Sequence, residues 1–226
     1  MAVLRIKERM MTLNIHNLWK NNRFVIIFIL LMVIFRTSVA DWNTVPTGSM
    51  KPTIIEGDRI WVNKIAYDYN IPFTHISLKH FNDPKHGEII IFDSAVSGKR
   101  LVKRVIAVPG DSIRMEDNML FINGKKLAYK SIQSDQNKVI VQETSHDSSY
   151  NIQLNHNLSH ASNFNTLTIP PKQYLVLGDN RNNSADSRFI GLVPREEIIG
   201  RANHVIMSLN YDNYYLPRMR RFLHRL

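Results

Sequence analysis

Residues 100–111 read RLVKRVIAVPGD, and the rest of the chain is read outward from them. The β-branched and apolar residues, closed by Pro-Gly-Asp, mark a strand running into a turn. Period-2 alternation puts Leu101, Lys103, Val105 and Ala107 on one face and Val102, Arg104 and Ile106 on the other. Lys103 is therefore flanked by apolar neighbours, and two readings of it stand. At a strand edge its stem would lie along the sheet and its ammonium would reach water. If it is buried instead, desolvation lowers its pKa. The fall from ~10.4 to the ~7–8 useful in a general base is about three units, or roughly 4 kcal/mol, within what burial supplies.

On either side the text stays strand-like. RIWVNKIAYDY and EIIIFDS precede it; MLFINGKKLAY, KVIVQET, YLVLGDN and HVIMSLN follow, each bounded by turn formers. Asn123-Gly124 is a two-residue hairpin signal. No stretch beyond residue 41 has helical periodicity, so the expected fold is mainly β. From Ser131 to Asn165 the chain is dense in Ser, Asn, Gln and His. That shift predicts a smaller β lobe at 111–170, inserted into a core made of 41–110 and 171–226.

The N-terminal region differs. Arg5, Lys7, Arg9, Lys20 and Arg23 precede the apolar run FVIIFILLMVIF, residues 24–35. Basic residues ahead of an apolar run predict a cytoplasmic segment at 1–22, a transmembrane anchor at 23–40 and everything later on the far side. Ser38-Val39-Ala40 also has the small-x-small form of a cleavable signal, whereas Arg36 interrupts that pattern and favours a retained anchor. The net charge of +10 admits nucleic acid or an anionic membrane as partner. Its placement beside the apolar run points to membrane lipids and away from nucleic acid. The C-terminal RMRRFLHRL is either a short helix resting on headgroups or a solvated basic tail.

With no cysteine, the chain has no disulfide framework, thiolate metal site or cysteine nucleophile. Its 44% apolar and 21% charged residues exclude a disordered or fibrous protein. Of nine histidines none stands in a triad context, and His156 and His160 have i, i+4 spacing without the glutamate of a zinc motif, so they read as loop residues. Nothing suggests a metal or an organic cofactor.

Two further stretches carry chemistry. VPTGSMKPTIIEGD, residues 45–58, sets Ser49 between Gly48 and Met50 and inside two prolines. Pro46 and Pro52 restrict the backbone, Gly48 admits a close approach or an unusual dihedral, and Met50 is placed to line a substrate pocket. A serine needs a base, and Lys103 is the candidate. GDNRNNSADSR, residues 178–188, interleaves aspartates and arginines as a rigid, hydrogen-bonded loop would.

PTGSMKPT, LVKRVIAVPGD and GDNRNNSADSRFIGLVPREEIIGRA, in this order after a membrane segment, closely resemble the signal peptidase I family of bacterial leader peptidases. The resemblance implies an antiparallel β-sheet catalytic core with Ser49 as nucleophile and Lys103 as general base. Thr47 then stands where the family has an oxyanion-hole serine, beside the backbone N–H of Ser49. Ser184 matches the serine that positions the lysine amine, and Arg104, Asp179, Asp186 and Arg188 match supporting charges. Asn182 replaces an aspartate that often stands there. Implied too are an inner-membrane location, preprotein signal peptides as substrates, cut after small residues at the third and first positions, and the export translocon as a possible partner. The alternatives are a specialised peptidase of the same family, serving conjugative transfer or a dedicated secretion system, or a non-catalytic anchored β module using Trp42, Trp61 and Tyr214 at an interface.

Overall fold

The computed structural model describes residues 2–71, 74, 76–145, 148–156 and 160–226, with residues 2–18 and 160 described through their backbone alone. A long helix α1 (Ala2–Ser38) leads into β1 (Ala40–Thr44), β2 (Asp58–Asn63), β3 (Asp68–Asn70), β4 (Ser77–His80), β5 (Ile89–Ser94) and β6 (Lys99–Ala107). There follow β7 (Ser112–Glu116), β8 (Met119–Ile122), β9 (Lys125–Lys126), β10 (Ala128–Ser134), β11 (Lys138–Thr144), β12 (Ser149–Asn155) and β13 (Phe164–Thr168). The chain closes with β14 (Gln173–Leu177), the short α2 (Ser187–Ile190), β15 (Val193–Pro194), β16 (Ile198–Asn210), β17 (Leu216–Pro217) and β18 (His224–Arg225).

The fold is mainly β and antiparallel. A nine-stranded sheet runs β1-β2-β16-β5-β6-β14-β15, with β17 and β18 also on β16. The stretch between β6 and β14 builds two smaller sheets, β10-β11-β12 and β13-β7-β8-β9. Hydrophobic patterning explains the layering. β2 alternates buried and half-buried residues, whereas Ile89–Phe92 of β5 are all buried because both faces of the central strand are covered. Asn123 and Gly124 both have positive φ, 51° and 77°, and join β8 to β9 in the expected tight hairpin.

Three expectations are corrected. RIWVNKIAYDY is not one strand, because a 3₁₀ turn at Lys64–Ala66 separates β2 from β3. The cause is tertiary: Lys64 Nζ turns to cap the last turn of α1, donating to the carbonyls of Arg36 at 3.0 Å and Thr37 at 3.2 Å. The helix ends at Ser38, and Ala40 already pairs with Asn63 in the sheet. The C-terminal basic stretch is a single 3₁₀ turn, Met219–Arg221, followed by β18. Within α1, Trp19–Ser38 is long and apolar enough to cross a membrane, 20 residues with a mean hydropathy of 1.5. Its apolar side chains, from Phe24 to Phe35, are left largely uncovered by the rest of the protein.

Candidate active site

β6 carries the site. It pairs with β5 so that Lys103 lies opposite Ile90, and Ile90, Leu101 and Val105 belong to one apolar cluster. The alternation read from sequence holds through Val105 and fails at Ala107. The register with β14 shifts between Val105 and Ala107, and Ile106 and Ala107 both pack into a different cluster. Lys103 is only 2% exposed. Its Nζ lies 3.0 Å from Ser49 Oγ and 3.0 Å from the Val102 carbonyl. Burial lowers the lysine pKa to about 8, against the opposing fields of Asp186 and Asp179, which raise it.

Ser49 sits in a turn between β1 and β2, half-buried, where Lys51 N donates to Gly48 O. The loop after β14 locks this turn from within: Asn180 N donates to Ser49 O at 3.0 Å and Asn180 Nδ2 to Gly48 O at 3.0 Å. Gly178 makes the approach possible, since a Cβ there would stand 2.5 Å from Ser49 O and against Ser184 Oγ. Gly48, by contrast, has no left-handed φ. It is buried among the ends of Lys51 and Glu56. Among the described residues nothing accepts a hydrogen bond from Ser49 N, which leaves that donor available. Thr47 is exposed at the mouth of the same turn.

Around the pair, opposite charges are matched. Arg104, next in β6 but on the other face, forks onto Asp179 at 2.8 and 2.6 Å, and Asp179 also accepts from Thr53 Oγ1. Asp186 caps α2, accepts from Gly178 N at 3.0 Å and is gripped by Arg188 Nε and Nη2 at 2.8 Å each. Arg188 further donates to Ala161 O. Asn182 caps the lobe strand β12 by accepting from Asn155 N at 2.9 Å.

Two residues fall elsewhere than expected. Met50 is 1% exposed and packs with Val45, Ile54 and Ile60, so it is a core residue and not the lining of an open pocket. Among the described residues Ser184 Oγ, buried against Gly178, has no hydrogen-bond partner and makes no bond to Lys103, whose amine is already held by Ser49 and Val102.

Other participants were not singled out in the sequence. Thr53 and Asn180 tie the turn to the 178–188 loop. Arg181 forms a fully buried double contact with Glu143 of β11, at 2.8 and 2.7 Å. Tyr150 of β12 donates to Glu143 and lies under the Arg104 guanidinium, 4.1 Å from ring centroid to Cζ. A cavity of about 680 Å³ opens beside the end of α1, lined by Thr37, Lys64 and Arg195, and does not include Ser49.

The family model for signal peptidase, peptidase S26, matches residues 18–207. The chain belongs to that family. By membership it is a serine endopeptidase. It is 33% identical over 180 residues to a probable signal peptidase I-2 of Synechocystis sp., covering 77% of this chain and 66% of the relative. A signal peptidase I of Pseudomonas fluorescens is 32% identical over 201 residues, 82% of this chain and 70% of the relative. Signal peptidase I P of Bacillus subtilis subsp. natto is 31% identical over 187 residues, 82% of this chain and 87% of the relative.

Proposed function

We propose that this chain is a membrane-anchored endopeptidase that removes signal peptides from exported preproteins, with Ser49 as nucleophile and Lys103 as general base. One observation carries the reading: the 3.0 Å contact between Lys103 Nζ and Ser49 Oγ, in surroundings that bring the lysine pKa to about 8. Ser49 Oγ attacks the scissile carbonyl while its proton passes to the neutral amine of Lys103. The Ser49 N–H and the Thr47 hydroxyl take the developing oxyanion, donors typically worth about 3 kcal/mol each. The Lys103 ammonium then protonates the leaving amine, and water deprotonated by the same lysine hydrolyses the ester. Asp179, Asp186, Arg104 and Arg188 hold the surrounding loops rigid, and Ser184 stands close behind them.

In this reading α1 anchors the protein in the bacterial inner membrane with its N-terminus in the cytoplasm, following its basic flank. Residues 41–110 and 171–226 form the catalytic core on the far side, and 111–170 form the supporting lobe. Preproteins bind extended beside Ser49 with small side chains at the third and first positions before the cut. Lipids and the export translocon are the expected neighbours.

The test is incubation of the full chain in detergent with a preprotein, followed by sequencing of the product N-terminus. Wild type yields the mature N-terminus, and Ser49→Ala and Lys103→Ala yield none. Absence of product from wild type, or undiminished product from either variant, refutes the assignment.

A further inference from the structure

The turn bearing Ser49 is clamped from two sides. Its inner side is held by Asn180 and Asp179, as described above. Its outer side is held by the C-terminal tail. Arg221 Nη2 donates to Thr53 O at 2.9 Å, while Arg221 Nε and Nη2 grip Asp58 at 3.0 and 2.5 Å. Asp58 is fully buried and in turn accepts from Ile55 N at 2.9 Å. Arg218 Nη1 donates to Glu56 O at 2.9 Å and to Ser208 Oγ and Leu209 O. The tail is itself fastened to the sheet: His224 and Arg225 pair with β16, Leu226 N donates to Asn203 O, and Leu226 packs against the cluster that contains Met50 and Ile54.

Thr53 is where the two clamps meet. Its carbonyl is held by the tail, and its hydroxyl by Asp179, the carboxylate that also pairs with Arg104. We propose that Arg221 is a positioning residue for peptide cleavage, with Arg218 in support, holding residues 53–58 so that Ser49 stays in register with Lys103. The inference rests on the role proposed for Ser49. Physically, a guanidinium fork satisfies a buried carboxylate and a backbone carbonyl at once, which no water-exposed tail would do. Small displacements of a nucleophile are costly, roughly 10²-fold for ~1 Å.

The experiment uses the full chain in detergent with a soluble cleavage-site peptide. Active sites are counted from the acylation burst, and amide hydrogen exchange is followed at Ile54 and Ile55. For Arg221→Ala the expected result is a fall in kcat per active site of roughly tenfold or more, the scale of one lost charge-assisted hydrogen bond. KM changes little, and the two amides exchange faster. Arg221→Lys keeps a cation on Asp58 but not the fork, so it folds and falls between the two. Arg220→Ala, removing an exposed charge from the same turn, leaves every readout at the wild-type value. A wild-type kcat per active site in both Arg221 variants overturns the proposal, as does a loss of active sites with no change in the rate of those that remain. If wild type does not cleave at all, the assignment of Ser49 fails instead, and the exchange of Ile54 and Ile55 in Arg221→Lys still decides whether the tail holds the turn.

Discussion

Lys103 and Arg104 are consecutive in β6, both buried, at 2% and 4% exposure, and yet they face opposite surroundings. On one face Arg104 meets a carboxylate in fork geometry, a backbone carbonyl and an aromatic ring, and Asp179 keeps its pKa raised in spite of burial. On the other, Lys103 is given a hydroxyl and a carbonyl, neither of which compensates a full charge, and its pKa is lowered. Equal burial thus has opposite consequences, decided by whether an acid is within bonding reach. The paired cation is held charged by its acid, and the unpaired one, brought down to about 8, is the base of the proposed mechanism.

The most severe way to break this contrast is to delete the unpaired amine. Lys103→Ala lowers kcat/KM by at least about 10⁴-fold in a peptide cleavage assay, as losses of a nucleophile or its base do elsewhere. Breaking the paired side comes next. Asp179→Asn strands a buried guanidinium and costs about 3–5 kcal/mol in urea denaturation. It also removes a charge that raises the Lys103 pKa, so the acid limb of kcat/KM, near pH 8 in wild type, moves to lower pH.

A third variant, Lys103→Met, turns the contrast into a stability measurement. The lysine pKa falls from 10.5 to about 8 on folding, so below pH 8 the folded protein carries an ammonium that is worse solvated than in the unfolded chain. That penalty amounts to roughly 3 kcal/mol at most. It shrinks as pH rises from 8 towards 10.5, because only the unfolded chain still binds the proton there. Thermal melts of Lys103→Met are therefore expected to exceed wild type at pH 7 and to converge with it near pH 10.5. The smallest effect is on the surface. Lys51 and Glu56 touch at 2.7 Å beside the same turn but are each 37% exposed, and Glu56→Gln changes stability by no more than about 0.5 kcal/mol.

Much of this arrangement was legible in the sequence because it is local. Alternation within β6 places Lys103 with Leu101 and Val105, and Asn123-Gly124 needs only its own dihedrals to turn the chain. What escaped depends on distant partners. The bulge after Val105 answers to β14, and the break in RIWVNKIAYDY answers to the end of α1. Glu143 lies in the polar stretch read only as an insert, and nothing near it signals a salt bridge to Arg181, 38 residues away. Met50 has the composition of either a pocket wall or a core residue, and only the direction of the turn separates them. Arg221 looked like any arginine of a basic tail; its partner Asp58 is 163 residues earlier.

The grip of Lys64 on the final carbonyls of α1, together with its ion pair to Asp41 at 3.8 Å, makes the junction between helix and sheet stiff. With α1 set in a bilayer as proposed, a globular part lacking that joint would swing on a tether and sample many heights above the lipid. With it, any tilt of the helix is transmitted to Ser49, and the proposed peptidase behaves as a gauge of fixed reach. Bilayer thickness would then help choose which peptide bond is presented to it.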